Sequence, residues 1–236
     1  MTDTMLSESL ASARRRLTEA LAAAGRPADA ARLLAVSKTK PAGMIREAWR
    51  LGQREFGENY VQEALEKQAE LADLEDIVWH FIGPLQANKT RAVAEHFDWV
   101  HSVDREKVAR RLNDQRPEAL RPLEVCLQVN VSGEASKAGI GFDELEDLAG
   151  KVLALPRLRL RGLMAIPAPA DGLARQREPL ARLRLALDAL RRRFPEAPLD
   201  TLSMGMSDDL EAAVLEGATL VRLGTAIFGT RDTSRR

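Results

Sequence analysis

Two hydrophobic periods alternate along this chain, one typical of amphipathic helices and the other of buried strands. Leucines at positions 6, 10, 17 and 21 recur at helical spacing and predict a helix over about 5–24, which Gly25 is suited to end. The apolar run at 33–36 is short and bounded by polar residues, as in a buried strand of a parallel sheet. Pro41 is suited to the beginning of the next helix, where its missing N–H is not needed.

The same strand-and-helix unit recurs to the end of the chain. Further strands are predicted at 55–57, 77–83, 99–102, 123–131, 158–164, 200–203 and 219–223, with helical segments between them. Such alternation predicts a parallel sheet, because each strand needs a crossover back to the same edge. Eight units in 236 residues predict a (β/α)8 TIM barrel with one extra helix at its N-terminus. The alternative is a doubly wound open sheet, which favours a glycine-rich turn after its first strand; residues 37–41 contain no glycine.

Composition narrows the class of protein. A balanced formal charge of +0 argues against nucleic acid as the main partner, and no apolar run reaches transmembrane length. Cys126 is the only cysteine, so no intrachain disulfide can form, and the N-terminus has no signal-peptide pattern. We expect a cytoplasmic protein without a membrane partner, a monomer or a weak homodimer. Its single domain is expected to span 1–236 with a short tail at 230–236.

Lys38 lies where the first predicted strand ends, at the edge that carries the chemistry of α/β folds. Partly desolvated there, its amine is a candidate nucleophile toward a carbonyl group. The strand ends of a barrel meet on one face, and the residues expected to converge there are Lys38, Asn59, His80, Ile82, Ser203 and Gly224. His101 ends the fourth predicted strand and is a candidate for the edge of the same site.

The loops after the seventh and eighth strands have the composition of a phosphate site. Residues 202–207 supply a hydroxyl group and a glycine, and residues 222–229 supply a glycine and a threonine at which a short helix can begin. An amine nucleophile facing a phosphate site points to pyridoxal 5′-phosphate (PLP), which carries an aldehyde and a phosphate on one ring. Lys40 and Arg222 are cations placed to lower the pKa of the Lys38 amine.

Five segments, at 35–41, 56–60, 79–89, 202–207 and 222–229, together resemble the YggS/PROSC family of PLP homeostasis proteins. The resemblance covers about residues 30–231 and implies a fold similar to the N-terminal barrel of alanine racemase. It also implies a role for individual residues. These are Lys38 for covalent attachment of PLP as a Schiff base; Ser203, Gly224 and Thr225 for the phosphate; Arg222 for the pyridine nitrogen; Asn59, Ile82 and Met204 for the ring pocket; and Lys137 as a second amine near the pocket mouth.

The resemblance implies a non-catalytic protein that buffers PLP or donates it to apo-enzymes, with indirect effects on amino-acid pools. An arginine at the pyridine nitrogen supports this, because a neighbouring cation keeps that nitrogen unprotonated and weakens the ring as an electron sink. The alternative is a low-activity, single-domain racemase or lyase, for which Tyr60 is the only tyrosine that could act as a base. A more distant alternative is a Schiff-base aldolase acting on a sugar phosphate. No cluster of residues has metal-ligand spacing.

Overall fold

The computed structural model describes residues 2–135 and 138–230. Eight strands lie in the order expected from the sequence: β1 Arg32–Val36, β2 Glu55–Glu58, β3 Val78–Phe81, β4 Trp99–Val103, β5 Leu123–Gln128, β6 Leu158–Met164, β7 Thr201–Ser203 and β8 Leu220–Leu223. All neighbouring strands are parallel, and β8 pairs with β1 to close the barrel. The prediction of a (β/α)8 TIM barrel is therefore confirmed.

Helices surround the barrel and precede or follow its strands. Their bounds are α1 Asp3–Ala23, α2 Ala42–Arg50, α3 Val61–Glu70, α4 Thr90–His96, α5 Glu106–Gln115, α6 Leu145–Leu153, α7 Leu173–Arg193, α8 Leu210–Leu215 and α9 Thr225–Phe228. Short 3₁₀ turns, Ala87–Lys89 and Phe142–Glu144, precede α4 and α6. No helix within residues 2–135 and 138–230 is long and apolar enough to cross a membrane.

The N-terminal helix α1 packs against helices from the other end of the sequence. Its buried face is the leucine stripe, and Arg16 forms a two-pronged ion pair with Glu211 of α8 at 2.7 and 2.8 Å. Arg26, just after α1, donates to the carbonyl of Val214 at 2.8 Å. The extra helix thus closes the outer ring where the first and last units of the barrel meet.

Three boundaries differ from the sequence-based prediction for physical reasons. Strand β2 continues one residue beyond the predicted 55–57, because Glu58 is still paired with Phe81 in the sheet, and α3 begins only at Val61. Strand β5 ends at Gln128, and the residues after it turn into a loop. Pro41 is the residue just before α2, with extended backbone, and so marks the boundary without being part of the helix.

The barrel interior is built from two small apolar clusters with polar side chains between them. Leu34, Val36 and Ile82 form one cluster, and Trp99, Cys126 and Met164 form the other. A much larger core lies between the outer face of the strands and the helices. Polar side chains inside a barrel need hydrogen-bond partners, and the partners that they find here define the site.

Candidate functional site

Lys38 lies directly beyond β1, at the end of the barrel where the strands finish. Ser37 continues the pairing of β1 by donating its N–H to the carbonyl of Gly57 at 2.9 Å. Leu34 and Val36 face the interior, so the alternation of the strand directs Lys38 to the same side. Lys38 is half-buried, as expected for an amine that must be both desolvated and within reach of a ligand.

Arg222 and Ser203 lie together inside the barrel. They are next to the seam, the line along which β8 pairs with β1 and closes the barrel. The Arg222 guanidinium donates to Ser203 Oγ at 2.7 Å and to the carbonyl of Ala165 at 2.9 Å. Ser203 Oγ is also 2.7 Å from His101 Nδ1. The hydroxyl predicted to bind phosphate is thus fully buried between a guanidinium and an imidazole, and its contact with phosphate stays a prediction.

The hydrogen bonds continue from His101 across the barrel. His101 Nε2 lies 2.8 Å from His80 Nδ1, and His80 Nε2 lies 3.2 Å from a carboxylate oxygen of Glu55. Glu55 is held from the other side by Arg32, at 2.8 and 3.1 Å. We call the five residues Arg222, Ser203, His101, His80 and Glu55 the interior network.

The chemistry of these groups fixes the direction of the interior network. Ionised Glu55 only accepts, so His80 donates to it from Nε2, and a neutral His80 therefore accepts at Nδ1 from His101 Nε2. A neutral His101 in turn accepts at Nδ1 the proton of Ser203, whose Oγ accepts from the Arg222 guanidinium. Both imidazoles are neutral in this arrangement, and each one is held as a single tautomer.

Burial and charge shift the pKa values of the interior network consistently with that assignment. Burial lowers the pKa of Arg222 to about 10, and lowers the pKa of His80 in spite of its bond to Glu55. Burial, together with neighbouring His80 and Arg222, lowers the pKa of His101 well below its usual range. Burial alone would raise the pKa of Glu55, but the hydrogen bonds from His80 and Arg32 outweigh it and lower the value to about 2.

These shifts predict loss of stability in acid. A histidine with a lowered folded-state pKa stabilises the fold above its ordinary pKa of 6.5, and this stability is lost as the pH falls below that value. Glu55 adds a contribution that is present above pH 4.5 and lost toward about 2, on the order of 3 kcal/mol. Glu58 acts in the opposite direction, because burial raises its pKa to about 7 and protonation between pH 7 and 4.5 then favours the folded state. The contribution of the interior network is therefore measured as the difference in urea midpoint between the wild type and a variant that lacks one of its histidines.

The variant His101→Gln tests the assignment to the interior network, with His96→Gln as its control, because His96 is an exposed histidine at the end of α4. As the pH falls from 6.5 to 4, His101→Gln should lose stability relative to the wild type to a smaller extent, seen as a narrowing difference in urea midpoint, whereas His96→Gln should follow the wild type. Equal slopes for wild type and His101→Gln would contradict the assignment.

The predicted phosphate-binding residues Gly224 and Thr225 lie where β8 leads into α9. The first N–H groups of a helix have no partner within it, and at α9 these belong to Thr225 and Ala226, both exposed. A Cβ on Gly224 would come within 3.3 Å of the Val36 carbonyl, a tight contact. The glycine therefore lets the end of β8 approach the strand that carries Lys38.

Asn59 and Ile82 lie on the opposite side of Lys38, at the ends of β2 and β3. Ile82 is buried, and Asn59 is half-buried with its side-chain oxygen buried and without a hydrogen-bond partner. A Cβ on Gly83 would lie 2.4 Å from the Asn59 carbonyl, so only glycine permits this approach. An orphaned polar atom beside Lys38 is the kind of group that a polar ligand satisfies.

The remaining predicted residues are placed differently. Met204 is fully buried in the large core outside the barrel, and its contact with a cofactor ring stays a prediction. Lys137 lies outside the described residues, so its position near the mouth stays a prediction as well. Tyr60 is half exposed just before α3. Within residues 2–135 and 138–230, no group of three or more His, Cys, Asp or Glu side chains is arranged to hold a metal ion.

Sequence reasoning placed His80 and His101 at the site without recognising that they bond to each other. The signal was available, because both histidines stand at inward-facing positions of neighbouring strands. The sequence did not predict a role for Lys67, which is buried on α3 against residues 37–39, the Lys38 loop. A lysine on a helix ordinarily indicates an exposed face, so its position gave no such signal.

Comparison with known proteins agrees with this architecture. A family model for the alanine racemase N-terminal domain matches residues 9–232. The pyridoxal phosphate homeostasis protein of Pseudomonas aeruginosa is 62% identical over 228 residues, which is 96% of each chain. The protein of the same name from Escherichia coli K12 is 54% identical over 233 residues, covering 98% of this chain and 99% of that one.

Comparison with solved structures points to the same family and the same fold. PipY of Synechococcus elongatus, in a structure with PLP bound, is 42% identical with a TM-score of 0.84, covering 95% of this chain and all (100%) of that one. Alanine racemase from Corynebacterium glutamicum shares the fold with a TM-score of 0.67 at 17% identity, and the match covers 98% of this chain and 62% of that one. The chain belongs to the family of pyridoxal phosphate homeostasis proteins, whose barrel is that of the alanine racemase N-terminal domain.

Proposed function

We propose that this protein binds PLP at the open end of its barrel, holds it covalently through Lys38, and acts in PLP homeostasis. The observation that supports this most directly is the placement of Lys38 at the seam of the barrel, between the orphaned side chain of Asn59 and the buried Arg222. Its relatives at 54–62% identity carry the name pyridoxal phosphate homeostasis protein, and the related PipY structure has PLP bound.

The residues around Lys38 suit the parts of PLP. Gly224 and Thr225 would hold its phosphate on the exposed N–H groups at the beginning of α9, with Ser203 deeper inside the barrel. Arg222 would face the pyridine nitrogen, and its hydrogen bonds to Ser203 and Ala165 fix the orientation of the guanidinium. Asn59 and Ile82 would line the ring, and Met204 and Lys137 complete the proposed set. When bound, PLP supplies a reactive aldehyde and an electron-accepting ring.

We propose a carrier of PLP and not an enzyme. Arg222 is fully buried, and even with its pKa lowered to about 10 it stays charged at neutral pH, so it disfavours a proton on the pyridine nitrogen. The only tyrosine, Tyr60, is half exposed, which does not favour a desolvated base. The carrier would act in the cytoplasm, as a monomer or weak homodimer, and donate PLP to apo-enzymes.

The first experiment uses the freshly purified protein, with and without added PLP. We expect a yellow protein whose reduction with borohydride leaves one pyridoxyl group, located on Lys38 by peptide mapping. A protein that stays colourless and takes up no PLP at Lys38 would overturn the proposal and favour a sugar-phosphate aldolase. Exchange of an amino-acid α-proton for deuterium from solvent, lost in Lys38→Ala, would instead favour a weak racemase or lyase.

Retention of PLP should depend on Ser203 more than on Ser102. Ser203→Ala removes a hydroxyl bonded to both His101 and Arg222, so the guanidinium loses one of its two fixed partners. We expect about tenfold weaker retention, the effect of one charge-assisted hydrogen bond. Ser102→Ala is the matched control, because the Ser102 hydroxyl is buried without a partner on β4. Equal dialysis rates for the two variants would contradict the role of Ser203.

A further inference from the structure

Three charged side chains lie directly behind the Lys38 loop. They are Glu58 at the end of β2 and Glu63 and Lys67 on α3, and we call them the Lys67 clamp. Lys67 Nζ lies 2.6 Å from a carboxylate oxygen of Glu58 and 2.6 Å from one of Glu63. The Lys67 side chain is only 7% exposed and that of Glu58 only 1%, so this ion cluster is largely shielded from water.

The Lys67 clamp bonds to the backbone on both sides of Lys38. Lys67 Nζ donates to the carbonyl of Ser37 at 2.7 Å. Glu63 accepts a hydrogen bond from the backbone N–H of Thr39. The residues before and after Lys38 are therefore tied to the same ion cluster, which leaves the Lys38 side chain little freedom to change direction through its backbone.

The backbone that the Lys67 clamp holds is strained. Thr39 has a φ of 65°, and within residues 2–135 and 138–230 it is the only residue other than glycine with a positive φ. A β-branched residue in the left-handed region costs about 1–2 kcal/mol. Such a conformation persists only where surrounding contacts impose it, and strain of this kind occurs most often at functional sites. The bond from Thr39 to Glu63 is one such contact.

Stability alone is a weak explanation for this cluster. Buried ion pairs often contribute no more than well-packed apolar side chains would, because both charges lose their water. The cluster also carries two carboxylates for one ammonium, and the second oxygen of Glu58 is buried without a hydrogen-bond partner. Burial raises the pKa of Glu58 to about 7 in spite of its contact with Lys67. The Lys67 clamp is therefore better explained by the Lys38 loop that it holds in place than by a contribution to the free energy of folding.

We infer that Lys67, together with Glu58 and Glu63, is a positioning group that fixes the direction of the Lys38 amine toward the cofactor pocket. The effect on the loop does not depend on any ligand, whereas the benefit for PLP capture rests on the proposed function. Lys67 and Glu63 contact the backbone of the loop at Ser37 and Thr39, and through that backbone they orient Lys38.

Variants of Glu63 test this inference with little risk to the fold, because the Glu63 side chain is 29% exposed. Glu63→Ala removes the acceptor of the Thr39 N–H, whereas Glu63→Gln keeps a carbonyl oxygen in its place. Glu66→Ala is the control, an exposed residue of the same helix. Hydrogen–deuterium exchange at the Thr39 amide in PLP-free protein should quicken about tenfold in Glu63→Ala alone, the effect of one lost hydrogen bond.

The same proteins are then treated with PLP and followed by visible absorption. We expect PLP to bind Glu63→Ala about tenfold more weakly, with near wild-type binding by Glu63→Gln and Glu66→Ala. If Glu63 contributed only its negative charge to the fold, Glu63→Gln would bind PLP as weakly as Glu63→Ala. The double variant Glu58→Gln/Lys67→Met removes the charge pair without leaving one charge buried alone. It should also capture PLP more weakly while its melting temperature changes little.

Two results would overturn the inference: an unchanged Thr39 exchange rate in Glu63→Ala, or faster exchange with unchanged capture of PLP. Failure of the proposed function is recognised separately, because wild-type protein would then take up no PLP at all. In that case, reductive methylation with formaldehyde measures the reactivity of Lys38 without PLP. Positioning predicts a changed rate at Lys38 in Glu63→Ala and an unchanged rate in Glu66→Ala; equal rates would again overturn it.

Discussion

Replacing Lys38 by alanine should give a folded protein on which borohydride fixes no pyridoxyl group. The backbone contacts of the Lys38 loop run through Ser37 and Thr39, so the loop should keep its shape without the lysine side chain. We expect the free energy of unfolding to change by no more than about 1 kcal/mol, as for most partly exposed side chains outside the core. Peptide mapping after reduction, beside the urea midpoint, measures both quantities on one preparation.

Lys40→Ala is the matched control for this prediction. Lys40 stands two residues away and donates to the carbonyl of Thr230 at 2.7 Å, so it is a nearby amine with a structural contact of its own. Lys40→Ala removes a predicted neighbouring cation but not the attacking amine, so the pyridoxyl group should stay on Lys38. A full adduct in Lys38→Ala, on any other lysine, would show that the covalent anchor has been assigned to the wrong residue.

Replacing Gly162 by alanine should destabilise the protein severely, by about 3 kcal/mol or more. Gly162 lies within β6 and pairs with Thr201 of β7. An added Cβ would lie 1.8 Å from the carbonyl oxygen of Thr201, far inside van der Waals contact with backbone that has no freedom to rotate away. β6 and β7 would have to separate, and Ser203 ends β7. We therefore expect both a lower melting temperature and weaker retention of PLP.

Gly150→Ala provides the comparison, because Gly150 lies within helix α6. The nearest atom to its added Cβ is a ring carbon of Phe194 at 3.6 Å, an ordinary contact. Alanine is the better helix former, so this variant should gain about 0.5–1 kcal/mol. If Gly162→Ala unfolds at the same urea concentration as the wild type, the close approach of β6 and β7 is wrong.

The barrel could be predicted from the sequence because the pattern that identifies each strand and helix lies within a short stretch of residues. Each buried strand is a short apolar run, each helix shows its own period, and the positions of Lys38 and Gly224 follow from where the strands end. The direction of Lys38 required only the alternation of one strand.

The interior network was not predictable in the same way. It depends on which residues of separate strands lie at the same height in the closed barrel, and height is set by the stagger of the strands. Thus the contact of Ser203 with phosphate stays a prediction, and the bonds from its hydroxyl to His101 and Arg222 were not foreseen. The Lys67 clamp was missed for a related reason, since pairing between a strand end and the next helix appears only in three dimensions.

The pairing of β1 with β8 has a consequence for how the protein is made. Lys38 leaves the ribosome early, but the strand that completes its surroundings, together with Arg222 and Gly224, is synthesised nearly two hundred residues later. Contacts between such distant parts of a chain form late, because a long loop must close first. A nascent chain therefore exposes its reactive lysine without the groups proposed to hold the phosphate and ring. Selective capture of PLP should then be a property of the finished barrel, and truncated chains should react with aldehydes without discrimination.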